Sequence, residues 1–430
     1  MKDKKILNNL FKVKDIIIFI LISILFLLPV LKELWPFYNF MLAEAYVILI
    51  LVGVCGIVFL GAKLCINFEK VEDKKQYFFK ILPIFIFLLY MIWTLISSVL
   101  SDNKNLAFFG TDYRKDGYIS YIAYAGCFGL AFCMSSKNFK KALLYMFAII
   151  AILTIIIAGI ASHGRLLNLI CCFDIKTASF YSFNHYGYYL MIATAISAFL
   201  FITEENKILK VINALMYTFL LYYLVLNDTF GCYLALILTF IIYFIITIVK
   251  KGKKLPISIC IAILVLISVF ANTGNKNIAK NNIQTLSKDV TNIVTTPSTD
   301  KKFNSAGTGR MLLWRYGIKF FMERPIFGYG QENLEAKYLE NQISQDRPHN
   351  LLIQLATTSG LPGLLLYISA ICVILWRSLK KLDMNNQLHI TFMFVVISYL
   401  ISAMFGNSMY YTSPYFFILL GFLMRENMNK

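Results

Sequence analysis

Apolar residues run from end to end of the chain in long blocks, separated for the most part by short polar breaks. A helix needs roughly 17–25 predominantly apolar residues to cross a hydrocarbon core of about 30 Å. Twelve such blocks are predicted, at about 15–31, 43–62, 79–100, 117–135, 142–161, 185–202, 208–226, 229–249, 255–271, 360–376, 388–405 and 412–424, the last being short. The pattern predicts an all-α polytopic membrane protein of about 12 transmembrane helices, with one long extracytoplasmic loop containing short helices. Composition agrees. Of 430 residues, 59% are hydrophobic, 16% aromatic and only 15% charged, with a mean hydropathy of +0.67, which excludes an ordinary soluble domain.

The basic residues orient the blocks, because Lys and Arg near span ends stay cytoplasmic. Alternate breaks are lysine-rich: "MKDKKILNNLFKVKD" at the start, "KVEDKK" at 70–75, "SKNFKK" at 136–141, "KKGKK" at 250–254 and "RSLKK" at 377–381. With an even number of spans, both termini are expected in the cytoplasm of a multi-pass plasma-membrane protein. Most of the net charge of +18 is then explained by topology and attraction to anionic membrane lipid, and no nucleic acid partner is needed. The first block follows a basic segment, as a signal peptide would. No small-residue cleavage site follows it, and "LPVLKELWP" reads as an interfacial exit, so it is expected to remain as a span. The nine cysteines are scattered, without CxxC or Cys/His ligand spacing; Cys171 and Cys172 are adjacent near the outer face, where they form neither a disulfide nor a zinc site. No metal and no cofactor is expected.

One segment breaks the pattern of short loops. Residues 272 to about 350 form a polar stretch of roughly 80 residues, a length that marks a functional or disordered loop. The chain thus divides into 1–271 with nine transmembrane helices, 272–350 as an extracytoplasmic loop carrying the chemistry, and 351–430 with three further helices. The first half of the loop is rich in Asn, Thr, Ser and Lys and is expected to be a mobile tether. In its second half, "RMLLWRYGIKFFMERP" places Arg310, Trp314, Gly317 or Ile318, and Phe321 on one face of a helix. Thr308 is the expected N-cap and Pro325 the stop, and the aromatic face suits a helix lying in the membrane interface.

The loop re-enters the membrane through "DRPHNLLIQLATTSGLPG" at 346–363. Pro348 and His349 are expected in the first turn of a helix that Gly360 and Gly363 break. There the helix dipole and Arg347 both oppose the imidazolium, which leaves a neutral ring able to accept a proton. Three other outward-facing segments carry polar groups that are expensive near a bilayer unless used. They are "FFGTDYRKDGYISY" (108–121) with Arg114, "TASFYSFNHYGYYL" (177–190) with Asn184 and His185, and "LNDTFGCYLAL" (226–236) with Asp228 and Thr229. Singly these read as a snorkelling arginine, a helix cap and a tight turn; on one face with Arg310, Arg347 and His349 they read as a shared site for an anionic ligand.

With these residues the chain resembles the bacterial O-antigen ligase and polymerase family, lipid-linked glycan transferases of the class-C glycosyltransferase type. The resemblance covers most of the chain and is strongest at 306–363, where "GTGRMLLW", "ERPIFGYG" and "RPHNLLIQLATTSGLPG" stand in the family's order and spacing, with "TDYRKDG" and "SFYSFNHYGYYL" upstream. It implies a metal-independent, inverting transfer of a glycan from an undecaprenyl-pyrophosphate-linked donor to a glycan acceptor outside the membrane. It also implies that Arg310 binds the pyrophosphate and that His349 serves the acceptor hydroxyl. The chemistry is consistent: a guanidinium fork at a helix N-terminus suits a pyrophosphate leaving group, and one base near neutrality suffices for direct displacement. The expected site has His349 and Arg310 as catalytic residues and Arg114, Asn184, Trp314, Arg315, Arg347 and Asn350 as substrate-binding residues. Where many relatives carry Ser-Arg-Gly, this chain has Thr229-Phe230-Gly231; Arg114, Arg315 and Arg347 are the candidates to replace the missing arginine.

Polymerisation of a surface polysaccharide is favoured over ligation, because Lys far outnumbers Arg and Ile and Asn abound, as in AT-rich genomes common among bacteria without an outer membrane. Twelve spans with both termini inside also suit a lipid-linked oligosaccharide flippase or another secondary transporter. Transporters, however, place polar groups near the midplane and show related halves, neither of which is evident here. A non-catalytic polysaccharide assembly subunit is a third reading and would have no need of His349.

Overall fold

In the computed structural model of the chain, the described residues are 2–34, 38–162, 176–180, 182–273, 278–406 and 409–428. Cys171 and Cys172 lie outside them. The described residues are helical almost throughout and contain no strand. In chain order the helices are α1 (Lys2–Leu34), α2 (Tyr38–Lys70), α3 (Lys74–Val99), α4 (Lys104–Phe109), α5 (Tyr118–Cys133), α6 (Lys137–Ser162), α7 (Phe183–Thr203), α8 (Lys207–Asn227) and α9 (Phe230–Val249). There follow α10 (Lys254–Thr273), α11 (Ile278–Thr295), α12 (Lys301–Ser305), α13 (Arg310–Glu323), α14 (Glu335–Glu340), α15 (Leu351–Lys380), α16 (Gln387–Ser402) and α17 (Ser413–Met428). The protein is an all-α polytopic membrane protein. Each of the twelve apolar blocks falls on a helix. Nine helices among the described residues are long and apolar enough to cross a bilayer, whereas α5 and α10 are shorter apolar helices and α17 has 16 residues.

Close packing in the bundle follows from small residues. α2 and α5 touch backbone to backbone through Gly53, Gly56 and Gly126; a Cβ on Gly126 would stand 1.8 Å from the Gly53 carbonyl oxygen. In lipid, where helices gain little from hydrophobicity against one another, such close approach supplies dispersion contact instead. α7 occupies the centre and is buried nearly all round. One ion pair is sealed inside the helical bundle at its lysine-rich end, Lys140 Nζ to Glu426 Oε1 at 2.7 Å.

The polar stretch departs from expectation in three ways. Its first half is not a tether but the 18-residue helix α11, whose Leu286, Val290 and Ile293 repeat at helical spacing and are exposed. An exposed apolar stripe of this kind suits the membrane interface. In α13 the buried face is Leu313, Gly317 and Phe320, which shares only Gly317 with the predicted stripe and is otherwise one position off it. Leu313 and Phe320 close a second small core with Tyr329, Leu334, Tyr338 and Ile343, separate from that of the bundle. Finally, Thr308 is not the N-cap of α13. It takes a left-handed conformation (φ 58°), and Gly309 (φ 87°) caps the helix without a side chain.

α15 is broken as predicted, and the break attaches the long polar loop to the bundle. Gly360 is non-helical (φ 68°, ψ −177°), and Pro362 has no N–H to donate. The carbonyls left open find other partners. Thr357 and Thr358 accept from the N–H groups of Tyr329 (2.9 Å) and Gly330 (3.0 Å), while Leu361 N–H donates to Pro325 (2.8 Å). Trp93 of α3 donates its indole N–H to the Ser359 carbonyl at 2.8 Å and stacks on Phe327. The segments "ERPIFGYG" and "ATTSGLPG" are thus two halves of one joint.

Candidate functional site

Above the joint, three loops meet around Arg347. Its side chain is 2% exposed, and its guanidinium reaches Asp346 (3.1 Å), Glu332 (3.0 Å) and Asp116 (3.3 Å). Glu332, held at φ 54°, also accepts from the backbone N–H groups of Thr111 (2.7 Å) and Asp116 (3.0 Å). The loop after α4, the loop before α14 and the segment before α15 are therefore tied through one buried cation. Carboxylates far apart in sequence do converge here, and a guanidinium fills the space between them. Burial pushes the Asp116 carboxyl up to about 7, against Arg347 and with Glu332. Burial also works against ionisation of Asp346, but Arg347 and Arg114 outweigh it and hold that carboxyl below its usual range. Arg114 grips Asp346 through two nitrogens, with Nη2 2.8 Å from Oδ1 and Nε on Oδ2.

His349 follows directly, but not in a helical turn. Its φ of 52° places it in the left-handed region before α15, and Asn350 is the N-cap, accepting from Leu352 (3.0 Å) and Ile353 (3.1 Å). The His349 ring is half-buried, and among the described residues no protein group hydrogen-bonds it. Burial pushes its pKa down to about 4; Asp346 opposes this, and Arg114, Arg310 and Arg347 add to it. The ring is neutral, as expected from sequence, although desolvation and three arginines rather than a helix dipole keep it so.

Arg310 opens α13. Its Nη1 lies 3.4 Å from the Gly307 carbonyl and 3.3 Å from Thr308 Oγ1, and no carboxylate among the described residues pairs with it. Its field reaches His349, and also Tyr188 and Cys232 near the first turns of α7 and α9. Cys232 directly follows Thr229-Phe230-Gly231, so the charge of Arg310 is felt close to the place where the sequence lacks an arginine. The three candidates for that role are otherwise engaged. Arg347 is caged, Arg114 is held by Asp346, and Arg315 donates to the Ser298 carbonyl at 2.6 Å.

Asn350 is fully used as well: beyond its cap, its amide donates to the Met404 carbonyl at 3.0 Å. Trp314 packs against the small second core. Asn184 is half-buried in the first turn of α7, its N–H held by Ser182 Oγ. Its neighbour His185 is the residue that the expected set omits. It is 5% exposed, stacks on Tyr411 at 5.7 Å, and has a buried Nδ1 without a partner among the described residues, within the fields of Arg114, Arg347 and His349. The backbone just before it is held from the turn between α8 and α9, where Asn227 donates to the Phe183 carbonyl (3.1 Å) and Thr229 Oγ1 donates to Asn227 Oδ1. Its presence in a chain with four histidines was the available signal.

Residues 214–368 match the family model described as O-antigen ligase. The match covers just over a third of the chain, which is similar to that family over this stretch. The match runs from α8 into α15 and contains Arg310, Trp314, Arg315, Arg347, His349 and Asn350, while Arg114 and His185 reach the site from outside it. It supports a membrane glycosyltransferase of the O-antigen ligase type. No curated protein matches the chain.

Proposed function

We propose that this O-antigen ligase-type chain transfers a glycan from an undecaprenyl-pyrophosphate carrier to a hydroxyl of an acceptor glycan on the outer side of the membrane. The observation that carries this reading is a half-exposed, neutral His349 within the field of Arg310, a guanidinium that no carboxylate among the described residues pairs with. The acceptor oxygen attacks the anomeric carbon, forming the new glycosidic bond and inverting the centre. Its proton passes to a ring nitrogen of His349. The bond from the anomeric carbon to the phosphate oxygen breaks, and its electron pair leaves with the pyrophosphate, whose charge Arg310 neutralises. That neutralisation needs no metal. Bound pyrophosphate also offsets the arginines that hold His349 down, so the ring becomes more basic when the donor is in place. An open groove of about 660 Å³ between α9 and α10, with Lys280 and Gln284 at its outer end, supports a place for the isoprenoid chain.

Polymerisation is the favoured reaction. Cells lacking the protein should then accumulate single repeat units on the carrier, whereas loss of a ligase leaves long chains there. Accumulation of neither, with loss of uptake of a small molecule, would overturn the transferase reading.

A further inference from the structure

At the end of α15 opposite His349, a cleft of about 290 Å³ opens between α3, α15 and α17. Lys80, Arg377, Lys380 and Lys381 line it, and no carboxylate does. The guanidinium of Arg377 is fixed by the carbonyls of Lys80 (2.8 Å) and Phe79 (2.7 Å), neutral acceptors that leave its charge uncompensated. Lys380 stands 3.8 Å from the centre of the Trp376 ring, which is 56% exposed. A half-exposed indole at the end of a long apolar helix marks the headgroup level of a bilayer. Much of the remaining wall is apolar, formed by residues such as Pro83 and Ile374.

We propose that this cleft binds an anionic phospholipid of the surrounding bilayer, its phosphate among Lys80, Arg377 and Lys380 and the start of an acyl chain against the apolar wall. A soluble anion would satisfy the cations and leave that wall in water; a zwitterionic lipid would bring its own ammonium against uncompensated positive charges. An anionic headgroup on an acyl chain meets both halves of the cleft, as basic pockets between membrane helices do. This inference is independent of the glycosyl-transfer reading, since it concerns the opposite end of the molecule and is read by binding alone.

The test uses the full chain purified in detergent and native mass spectrometry with phosphatidylglycerol or phosphatidylcholine added. Wild type should retain phosphatidylglycerol roughly tenfold or more over phosphatidylcholine. Lys80→Gln with Lys380→Gln should abolish that preference, Lys80→Arg with Lys380→Arg should keep it, and Lys250→Gln with Lys251→Gln at another lysine-rich turn should leave it intact. Thermal unfolding of each variant without lipid checks the fold. Equal retention of the two lipids, displacement of phosphatidylglycerol by millimolar inorganic phosphate, or equal loss in the Lys250/Lys251 variant would each overturn the proposal.

Discussion

His349 meets three positive charges and one negative one, and the balance makes a pH profile with signed predictions. Because the free protein holds its pKa near 4, the acid limb of kcat/KM should fall near 4 rather than near the ordinary histidine value of about 6.5. Arg310 opposes the imidazolium, so Arg310→Gln should move that limb up in pH. Asp346 favours the imidazolium, so Asp346→Asn should move it down. A limb that ignores both substitutions would remove His349 as the base. His349→Ala should cost roughly 10²–10⁴ in turnover while sparing donor affinity. Arg310→Lys should fail as well, by weakening donor binding or leaving-group departure, because an ammonium keeps the charge without the bidentate fork. Arg347 calls for a different experiment. Removing a buried cation from among three carboxylates leaves uncompensated charge, so Arg347→Met should destabilise the fold by about 3–5 kcal/mol, seen as a lowered unfolding midpoint, whereas Arg310→Met should change it little.

At the scale of elements, the joint between the long polar loop and α15 rests on a backbone that only glycine accepts. A Cβ at Gly360 would lie 1.9 Å from the Ile326 carbonyl oxygen, at a φ of 68°. Gly360→Ala should therefore cost at least about 1–3 kcal/mol and displace the loops that carry Arg310 and His349. Gly61→Ala in α2, where nothing lies within 4 Å, should instead stabilise by about 0.5–1 kcal/mol; equal effects in thermal unfolding would contradict this account. The break itself was legible in "SGLPG", because a glycine and a proline interrupt a helix wherever they fall. Its partners were not, since Tyr329, Gly330 and Trp93 donate through main chain or indole to carbonyls far along the sequence. α11 was obscured by its Asn, Thr and Lys content, although Leu286, Val290 and Ile293 already carried the helical period. The shift of the buried face in α13 follows from its glycine cap and from Tyr338, whose hydroxyl donates to the Leu313 carbonyl at 2.9 Å; neither is a property of the helix sequence alone.

For the whole molecule, apolar block length was sufficient to place twelve helices, because a bilayer imposes that length on each block separately. Membership of the site was only partly readable. Arg310 and His349 stand out as charged or titratable groups in apolar company, but that Arg347 is caged could not be known without Asp116, 231 positions away, and Glu332, whose loop only the fold folds back onto it. Orientation is the remaining global property, and the lysine-rich breaks make it testable. In a cysteine-free background, Ser344→Cys should react with a membrane-impermeant thiol reagent added outside intact cells, and Lys250→Cys should not. The opposite labelling would put His349 in the cytoplasm, where a pyrophosphate-linked glycan facing outward could not reach it.

The bond from Trp93 to Ser359 spans 266 positions, and that distance is also an interval of time. At translation rates of about 5–20 residues per second, α3 is made tens of seconds before its partner in α15 exists. During that interval the Trp93 indole N–H lacks its carbonyl, Asp116 lacks Arg347, and the loop after α4 has nothing to close upon. Contacts of such separation form slowly and late. The cage around Arg347 is therefore absent from every shorter nascent chain and forms no earlier than when the tenth of the twelve bundle helices takes its place, while the contacts of Asn350 with Met404 and of His185 with Tyr411 wait for the chain beyond it.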